Sequence, residues 1–315
     1  HRVDRRQRQM CIRDSTNGAS EALDTSLRSI IEPGDEILIP GPVYAGYIPL
    51  IETLGGIPIY MDTTQLEFKV TPELINKHIT EKTKAILLNY PTNPTGVILE
   101  RSEVKAIVDT LVDKNLFIIS DEIYAENTFK GAHTSFAEFE EIRDQLLLIG
   151  GLSKSHSATG IRIGFLIGPE YLIEKLTFMH AYNCICANVP AQIACIAALN
   201  EGLEAPQYMN DAYIKRRDYL KNKLESLGFE LTAQPEGAFY IFPSIKKFTE
   251  NDFDFCVDVL EQAHVAMVPG SSFTDMGKGY IRISYAYEMD MLKEGMRRLE
   301  TVSYTHLTLP TIYSV

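Results

Sequence analysis

The chain has 315 residues, of which 45% are hydrophobic, and a formal net charge of −12. This much apolar sequence can fill a large core, or one large domain and a smaller one. The acidic balance argues against nucleic acid or an anionic membrane as a partner. No run approaches the ~18 apolar residues that a bilayer span needs.

The cysteines predict neither a disulfide framework nor a metal site. Two of them form a C-x-C motif, but no second pair or neighbouring His in the sequence supplies further ligands. No basic-then-apolar signal peptide opens the chain. We therefore interpret all five as reduced thiols of a cytoplasmic protein: Cys11, Cys184, Cys186, Cys195 and Cys256.

Both ends of the sequence are atypical of a folded domain. Residues 1–15 carry five Arg and two Asp without apolar periodicity, and residues 302–315 contain no Asp, Glu, Lys or Arg. Both segments resemble translated sequencing-adapter read-through. We interpret them as non-native tails and expect the fold to occupy residues 16–301.

The elements predicted from residue 16 onward alternate between helices and short strands. A helix begins near Ala19 and ends at the Pro-Gly of residues 33–34, and a second helical stretch begins at Tyr44. Periodic segments such as residues 103–114 have apolar side chains at i, i+3 and i+4. The predicted strands are residues 36–40, 57–61, 83–90, 116–120, 145–150 and 163–168. The last four are continuous apolar runs, typical of strands buried on both faces. The pattern predicts an α/β fold with a mostly parallel mixed sheet between helices.

The character of the sequence changes after about residue 201. A charged helix over 210–228, a helix near 252–263 and a last helix over 289–300 enclose three short strand-like segments, at 239–244, 265–269 and 280–284. We therefore expect a large domain over residues 16–205 and a smaller C-terminal α+β domain over 206–301.

Lys154 and Asp121 stand at the ends of two of the buried strands. A lysine on the rim of an apolar strand near other cations loses its proton easily and becomes nucleophilic. Arg162, eight residues after Lys154, can clamp a phosphate. Asp121 ends the strand 116–120, where open α/β sheets place their ligands. Glu122 is a competing carboxylate, and local chemistry alone does not choose between the two.

Other polar groups are individually weak signals. Asn93 lies in the Asn-Pro turn after strand 83–90, where its amide can point inward. Gly18, Ala19 and Ser20 open a helix whose free N–H groups can bind an anion, although a serine there is more often only a cap. Tyr124 offers a hydroxyl, Tyr44 a stacking ring and Arg282 a guanidinium, each of which taken alone is more often packing or a surface ion pair.

Taken together, these groups match what a phosphorylated pyridine aldehyde needs from a protein. The sequence resembles the class I/II aminotransferases of the aspartate-aminotransferase fold, from Thr16 to Glu300. The resemblance rests on TNGASEALD, EPGDEILIPGPVY, NYPTNPTG, SDEIY, GLSKSHSATGIRIGF, PEGAFYIFP and YIRISYA, which occur in the family's order.

The resemblance implies a pyridoxal 5'-phosphate-dependent transferase of fold type I and a homodimer, with small-molecule amino and 2-oxo acids as substrates. It implies these roles: Lys154 as the Schiff-base and proton-shuttling lysine; Asp121 at the ring nitrogen; Asn93 and Tyr124 at the phenolate oxygen O3′; Gly18, Ala19, Ser20, Ser153 and Arg162 at the phosphate; Tyr44 stacked on the ring; Arg282, with Asn93, at the substrate carboxylate.

Within the family, GLSKSHSATGIRIGF, PGSSF (269–273) and FDF (253–255) look most like aminotransferase A, a branch linked to N-acetyl-LL-2,6-diaminopimelate transamination in lysine biosynthesis. Glutamate is the default amino donor. The alternatives are a C–S β-lyase on the same cofactor and the aminotransferase-like sensor domain of a transcription regulator. The family's N-terminal segment, which supplies part of the small domain, is expected to be missing.

Overall fold

A computed structural model describes the backbone of residues 11–307 and the side chains of residues 15–302. Its centre is a seven-stranded sheet in the order β1-β7-β6-β5-β4-β2-β3. Strands β2 to β6 are mutually parallel, β7 runs antiparallel to β6, and β1 runs antiparallel to β7. The strands are β1 (Cys11–Thr16), β2 (Glu36–Gly41), β3 (Ile57–Asp62), β4 (Thr83–Asn89), β5 (Phe117–Asp121), β6 (Leu146–Gly151) and β7 (Gly164–Gly168). The predicted mostly parallel mixed sheet is confirmed.

Seven helices accompany this sheet in the described chain: α1 (Ala19–Ile30), α2 (Tyr47–Thr53), α3 (Pro72–His78), α4 (Arg101–Leu111), α5 (Leu152–Ser155), α6 (Glu170–Cys184) and α7 (Val189–Glu201). Successive side chains of a strand point to opposite faces. Ile37 and Ile39 therefore join the core cluster that contains α1, α2 and α6 residues, while Leu38 joins the cluster that contains α3 and α4 residues. Because both faces are covered, the strands read as unbroken apolar runs.

The C-terminal part forms a smaller α+β unit, as predicted from the change in sequence character. Helices α8 (Ala205–Ser226), α9 (Asp252–Ala263) and α10 (Met289–Leu307) pack on an antiparallel sheet of β8 (Tyr240–Ile241), β9 (Val268–Pro269) and β10 (Ile281–Ser284), in the order β8-β10-β9. This unit has its own core cluster. Helix α8 begins earlier than predicted because Pro206 lies in its first turn, where a proline is tolerated.

The structure differs from the expected boundaries at both ends. Residues 11–15, expected to lie outside the fold, belong to β1 and pair with β7, which would otherwise leave an unpaired sheet edge. The last helix continues past residue 301 to Leu307, because no Pro or Gly occurs between residues 301 and 307. The other tail residues, 1–10 and 308–315, lie outside the described residues. Within the described part, no helix is long and apolar enough to cross a membrane.

The C-terminal ends of the central parallel strands lie next to the C-terminal unit. Strands β4, β5 and β6 end at Asn89, Asp121 and Gly151 along one edge of the sheet. Backbone hydrogen bonds then tie this edge to the segment before β8: Gly237 N–H donates to the Gly96 carbonyl, and Ala238 N–H to the Asn127 carbonyl, each at 2.8 Å. The predicted site residues therefore converge at this edge.

Candidate active site

Asp121 is a buried carboxylate whose two oxygens are held in place. Tyr47 Oη donates to one oxygen at 2.6 Å and the Ile123 N–H to the other at 3.2 Å. Burial raises the pKa of Asp121, while the Tyr47 bond, the Ile123 bond and the positive charge of Lys154 act in the opposite direction. Such a carboxylate is suited to a cationic partner, which would replace its lost hydration.

The hydrogen bonds of Glu122 lie away from Asp121 and Lys154, which favours Asp121 as the carboxylate of the site. Adjacent strand-end residues face opposite sides of the sheet. Glu122 Oε1 accepts from Ser120 Oγ and from the Phe136 N–H, both at 3.0 Å, and Glu122 Oε2 lies 2.8 Å from His133 Nε2. These bonds occupy both Glu122 oxygens, whereas the negative charge of Asp121 acts on the pKa of Lys154.

Lys154 lies in the single turn of α5, immediately after β6. Its Nζ is 5.7 Å from the ring centroids of both Tyr124 and Phe239. Burial lowers the pKa of the Lys154 ammonium, and the charges of Arg162 and Arg282 lower it further, against the opposing effect of Asp121. The amine is therefore neutral, and nucleophilic, at a lower pH than an ordinary lysine.

Arg282 reaches Asn93 from the C-terminal unit. Its Nη1 donates to Asn93 Oδ1 at 2.8 Å, and its guanidinium carbon lies 4.4 Å from the Tyr240 ring centroid and 4.7 Å from that of Phe273. Among the described residues, Arg282 Nε is buried without a hydrogen-bond partner. A planar cation held between two rings, with an unsatisfied donor, can receive a carboxylate.

Tyr124 and Tyr240 join the two parts of the site. Their hydroxyl oxygens are 2.9 Å apart, and their rings pack edge to face. Burial raises the pKa of Tyr124, and the Tyr240 hydroxyl raises it further. The Tyr124 phenol therefore keeps its proton and can donate a hydrogen bond to an oxygen in the site.

An anion site lies at the start of α1. Gly18 caps the helix with φ 82°, and the N–H groups of Ala19 and Ser20 have no intrahelical acceptor. A Cβ on Gly18 would lie 2.3 Å from Arg162 Nη2, so only glycine leaves room for the guanidinium. Arg162 is held by the carbonyls of Thr159 and Asn17, at 2.9 and 3.2 Å. Together these groups form a typical phosphate site.

Two more predicted residues border these groups. Ser153 is buried in α5 directly before Lys154, and its carbonyl accepts from Thr159 Oγ1 at 3.0 Å. Tyr44 is 43% exposed and packs edge-on against Tyr47, with 5.4 Å between ring centroids. Its free ring face is available for stacking. Tyr47 itself was missed by the sequence analysis, because only the fold brings its hydroxyl to Asp121, 74 residues away.

The donor set fits a phosphorylated pyridine aldehyde. An amine of lowered pKa, a buried carboxylate, a phenol and an arginine beside free helix N–H groups share one edge of the sheet. The glycine that leaves space for Arg162 supports the same fit. Each chemical feature of the cofactor thus has a complementary group.

Comparison with known proteins agrees with this chemistry. A family model described as aminotransferase class I and II matches residues 14–299. A probable N-acetyl-LL-diaminopimelate aminotransferase of Bacillus subtilis (strain 168) is 47% identical over 285 residues, which cover 90% of this chain and 72% of that protein. An aspartate aminotransferase of Pyrococcus abyssi is 36% identical over 289 residues, covering 90% of this chain and 74% of that protein.

Solved structures give the same result. An aromatic aminotransferase from Pyrococcus horikoshii OT3 superposes with a TM-score of 0.90 at 33% identity, covering 94% of this chain and 80% of that one. An aspartate aminotransferase from Thermotoga maritima has a TM-score of 0.85 at 34% identity, covering 91% of this chain and 75% of that one. The enzymes of this family and fold depend on pyridoxal phosphate. The chain therefore belongs to the class I and II aminotransferases and is a pyridoxal-phosphate-dependent transaminase.

Proposed function

We propose that the enzyme transfers the amino group of L-glutamate to the 2-oxo acid that corresponds to N-acetyl-LL-2,6-diaminopimelate, a reaction of lysine biosynthesis. The observation that carries the chemistry is the placement of Lys154 at the end of the central strands, where the charges of Asp121 and Arg282 both act on its pKa. The substrate pair rests on the relative at 47% identity, named a probable N-acetyl-LL-diaminopimelate aminotransferase.

Each residue around the cofactor has a distinct proposed task. Bound pyridoxal phosphate supplies an aldehyde carbon for attachment of amines and a ring that accepts electrons. Asp121, held by Tyr47, keeps the ring nitrogen protonated, and Tyr124 and Asn93 donate to the phenolate oxygen. Gly18, Ala19, Ser20, Ser153 and Arg162 hold the phosphate, and the Tyr44 ring stacks on the pyridine.

Lys154 is the proposed catalytic base. When it is not attached to the cofactor, the Lys154 amine would be free to act on the substrate. Because its pKa is lowered, this amine can take the proton from the substrate Cα at a lower pH than an ordinary lysine amine could. The aromatic rings of Tyr124 and Phe239 lie beside it and shield it partly from water.

Arg282 orients the substrate through its α-carboxylate. The guanidinium offers parallel donors in the plane that a carboxylate needs, and Asn93 fixes that plane from the other side. Every α-amino acid has this carboxylate, so Arg282 positions the reacting carbon without selecting the side chain.

We also propose a homodimer in the cytoplasm. Helices α6 and α7 present a broad apolar face to solvent, in which Phe178, Tyr182, Ile193 and Ile196 are each at least 60% exposed. Exposed patches of this kind mark interfaces, and a two-fold dimer would bury the same patch on both chains. Tyr182→Asp should shift the sedimenting mass from two chains to one. Tyr171 donates to the Asp144 carbonyl and is proposed to lie outside the interface, so Tyr171→Asp should leave the mass of two chains unchanged.

The first test of the proposal is spectroscopic. Pyridoxal phosphate is added to the purified protein, and the visible spectrum is recorded before and after L-glutamate. Attachment to Lys154 should give a visible band that is absent in Lys154→Ala, and glutamate should bleach it. N-acetyl-LL-2,6-diaminopimelate should bleach it as well, and L-alanine should do so much more slowly.

Two results would contradict the proposal. A band that persists with both amino donors would exclude the first half-reaction. Release of pyruvate and ammonia from cystathionine without an oxo-acid acceptor would identify a C–S β-lyase on the same cofactor. The second result would leave the assignments of Asp121 and Arg162 in place, because these residues hold the cofactor in either reaction.

A further inference from the structure

A cluster of three metal-ligating groups lies between α1 and α6, behind the anion site. His180 Nδ1 is 2.7 Å from Glu21 Oε1, Cys184 Sγ is 2.7 Å from the same oxygen, and Cys184 Sγ is 3.2 Å from His180 Nδ1. All three ligand atoms lie within 4.8 Å of one another. His180 is 4% exposed, so the cluster is largely shielded from solvent.

The cluster is assembled by helix geometry and by the fold. His180 and Cys184 are four residues apart on α6 and therefore share one face of the helix. Glu21 reaches them from the first turn of α1, and its other oxygen accepts the Asn17 N–H at 2.5 Å. This bond holds the carboxylate beside the histidine and the thiol.

The cluster is a poor nucleophile but offers three metal ligands. Burial and the Glu21 carboxylate raise the pKa of the Cys184 thiol to about 11, which is the reverse of what a reactive cysteine requires. The same carboxylate attracts a cation. One thiolate, one imidazole and one carboxylate are the ligand types that Zn²⁺ accepts.

We propose that Glu21, His180 and Cys184 bind one Zn²⁺ ion, with water in the fourth position. Tetrahedral Zn²⁺ places such ligand atoms about 3.3–3.6 Å apart. The present separations of 2.7, 2.7 and 3.2 Å need to open by less than about 1 Å. On binding, the thiol proton leaves to solvent, and the neutral imidazole carries its proton on Nε2 while Nδ1 binds the ion.

The ion would brace the anion site from behind. Asn17 donates its N–H to Glu21 Oε2 and accepts from Arg162 Nη2 through its carbonyl. Fixing the Glu21 carboxylate therefore fixes the segment that leads into Gly18 and the start of α1. This role is structural, and it does not depend on the identity of the amino-acid substrate.

The test uses the metal-free full chain, prepared with a chelator and without pyridoxal phosphate, so that its result is independent of transaminase activity. Zn²⁺ binding is measured by competition with a chromophoric chelator, and Co²⁺ is used as a spectroscopic probe of thiolate coordination. We expect one ion per chain, a sulfur-to-cobalt charge-transfer band, and a rise in the unfolding temperature on addition of Zn²⁺.

Matched cysteine variants decide which thiol is the ligand. Cys184→Ser and His180→Gln should weaken Zn²⁺ binding at least ~100-fold, and Cys184→Ser should lose the charge-transfer band. Cys186→Ser, two residues away and exposed, and Cys195→Ser should bind as the parent does. Circular dichroism of the metal-free variants checks that each is folded. Parent-like binding by Cys184→Ser, or an equal loss in Cys186→Ser, would overturn the assignment.

Discussion

The bond between Tyr47 and Asp121 allows a quantitative test of the site. Both side chains are buried, at 1% and 7% exposure, and the hydroxyl donates to the carboxylate at 2.6 Å. Hydrogen bonds to charged groups contribute about 1.5–3 kcal/mol, and neutral ones about 1 kcal/mol. Tyr47→Phe should therefore lower the free energy of unfolding of the cofactor-free protein at pH 8 by about 1.5–3 kcal/mol.

The charge on Asp121 is tested by repeating the substitution in an Asp121→Asn background. The bond is then neutral, so Tyr47→Phe should cost about 1 kcal/mol or less. Urea unfolding is followed at one fixed protein concentration, because oligomerisation shifts apparent stability. Tyr44→Phe is the matched control, since no hydrogen bond of the Tyr44 hydroxyl occurs in the described part of the chain. A loss below about 0.5 kcal/mol for Tyr47→Phe, or equal losses in both backgrounds, would refute the reasoning.

Three further predictions concern the anion site, the lysine and the substrate arginine. Gly164→Ala places a Cβ 2.6 Å from backbone atoms at the start of α1, so it should weaken pyridoxal phosphate binding at least ~10-fold. Equilibrium titration measures this binding. Gly160 has open space around it, so Gly160→Ala should leave the binding unchanged. Lys154 should react with phosphate-free pyridoxal with a pH midpoint below its ordinary pKa, and Arg162→Gln should move this midpoint upward, because one neighbouring positive charge is removed. An unchanged midpoint would show that the charge of Arg162 does not lower the pKa of Lys154. Arg282→Lys should raise KM for the amino donor at least ~10-fold in steady-state assays, since an ammonium cannot fill the planar slot between the two rings; an unchanged KM would place the carboxylate elsewhere.

The central sheet was predictable because its strands are buried on both faces. Residues 83–90 read as one apolar run, and the structure forms β4 there, with alternate residues in opposite core clusters. The position of Asp121 at a strand end followed from the same pattern. Helix α2 begins at Tyr47 rather than at the predicted Tyr44, because the intervening residues form a turn.

Local sequence patterns did not predict contacts between distant segments, although the family resemblance implied that Arg282 and Asn93 meet at the substrate carboxylate. The pairs Tyr47–Asp121 and Arg282–Asn93 are 74 and 189 residues apart, and no local periodicity relates their members. His180 was likewise not recognised as a neighbour of Cys184, although the four-residue spacing between them on a helical segment was a usable signal. Glu21 completes that cluster from 163 residues away, which only the packing of α1 on α6 reveals.

Because Asp121 and Lys154 lie in a desolvated site, the lifetime of the polypeptide should depend on the supply of the cofactor. Both residues lie where their charged forms are disfavoured, and Arg282 Nε is buried without a partner among the described residues. A ligand that satisfies these groups only in the folded chain adds RT ln(1 + [L]/Kd) to the free energy of unfolding. When the cell is short of the vitamin from which the cofactor is made, a larger fraction of the chains is unfolded and is degraded by proteases. Scarcity then reduces the number of enzyme molecules as well as the fraction that is active.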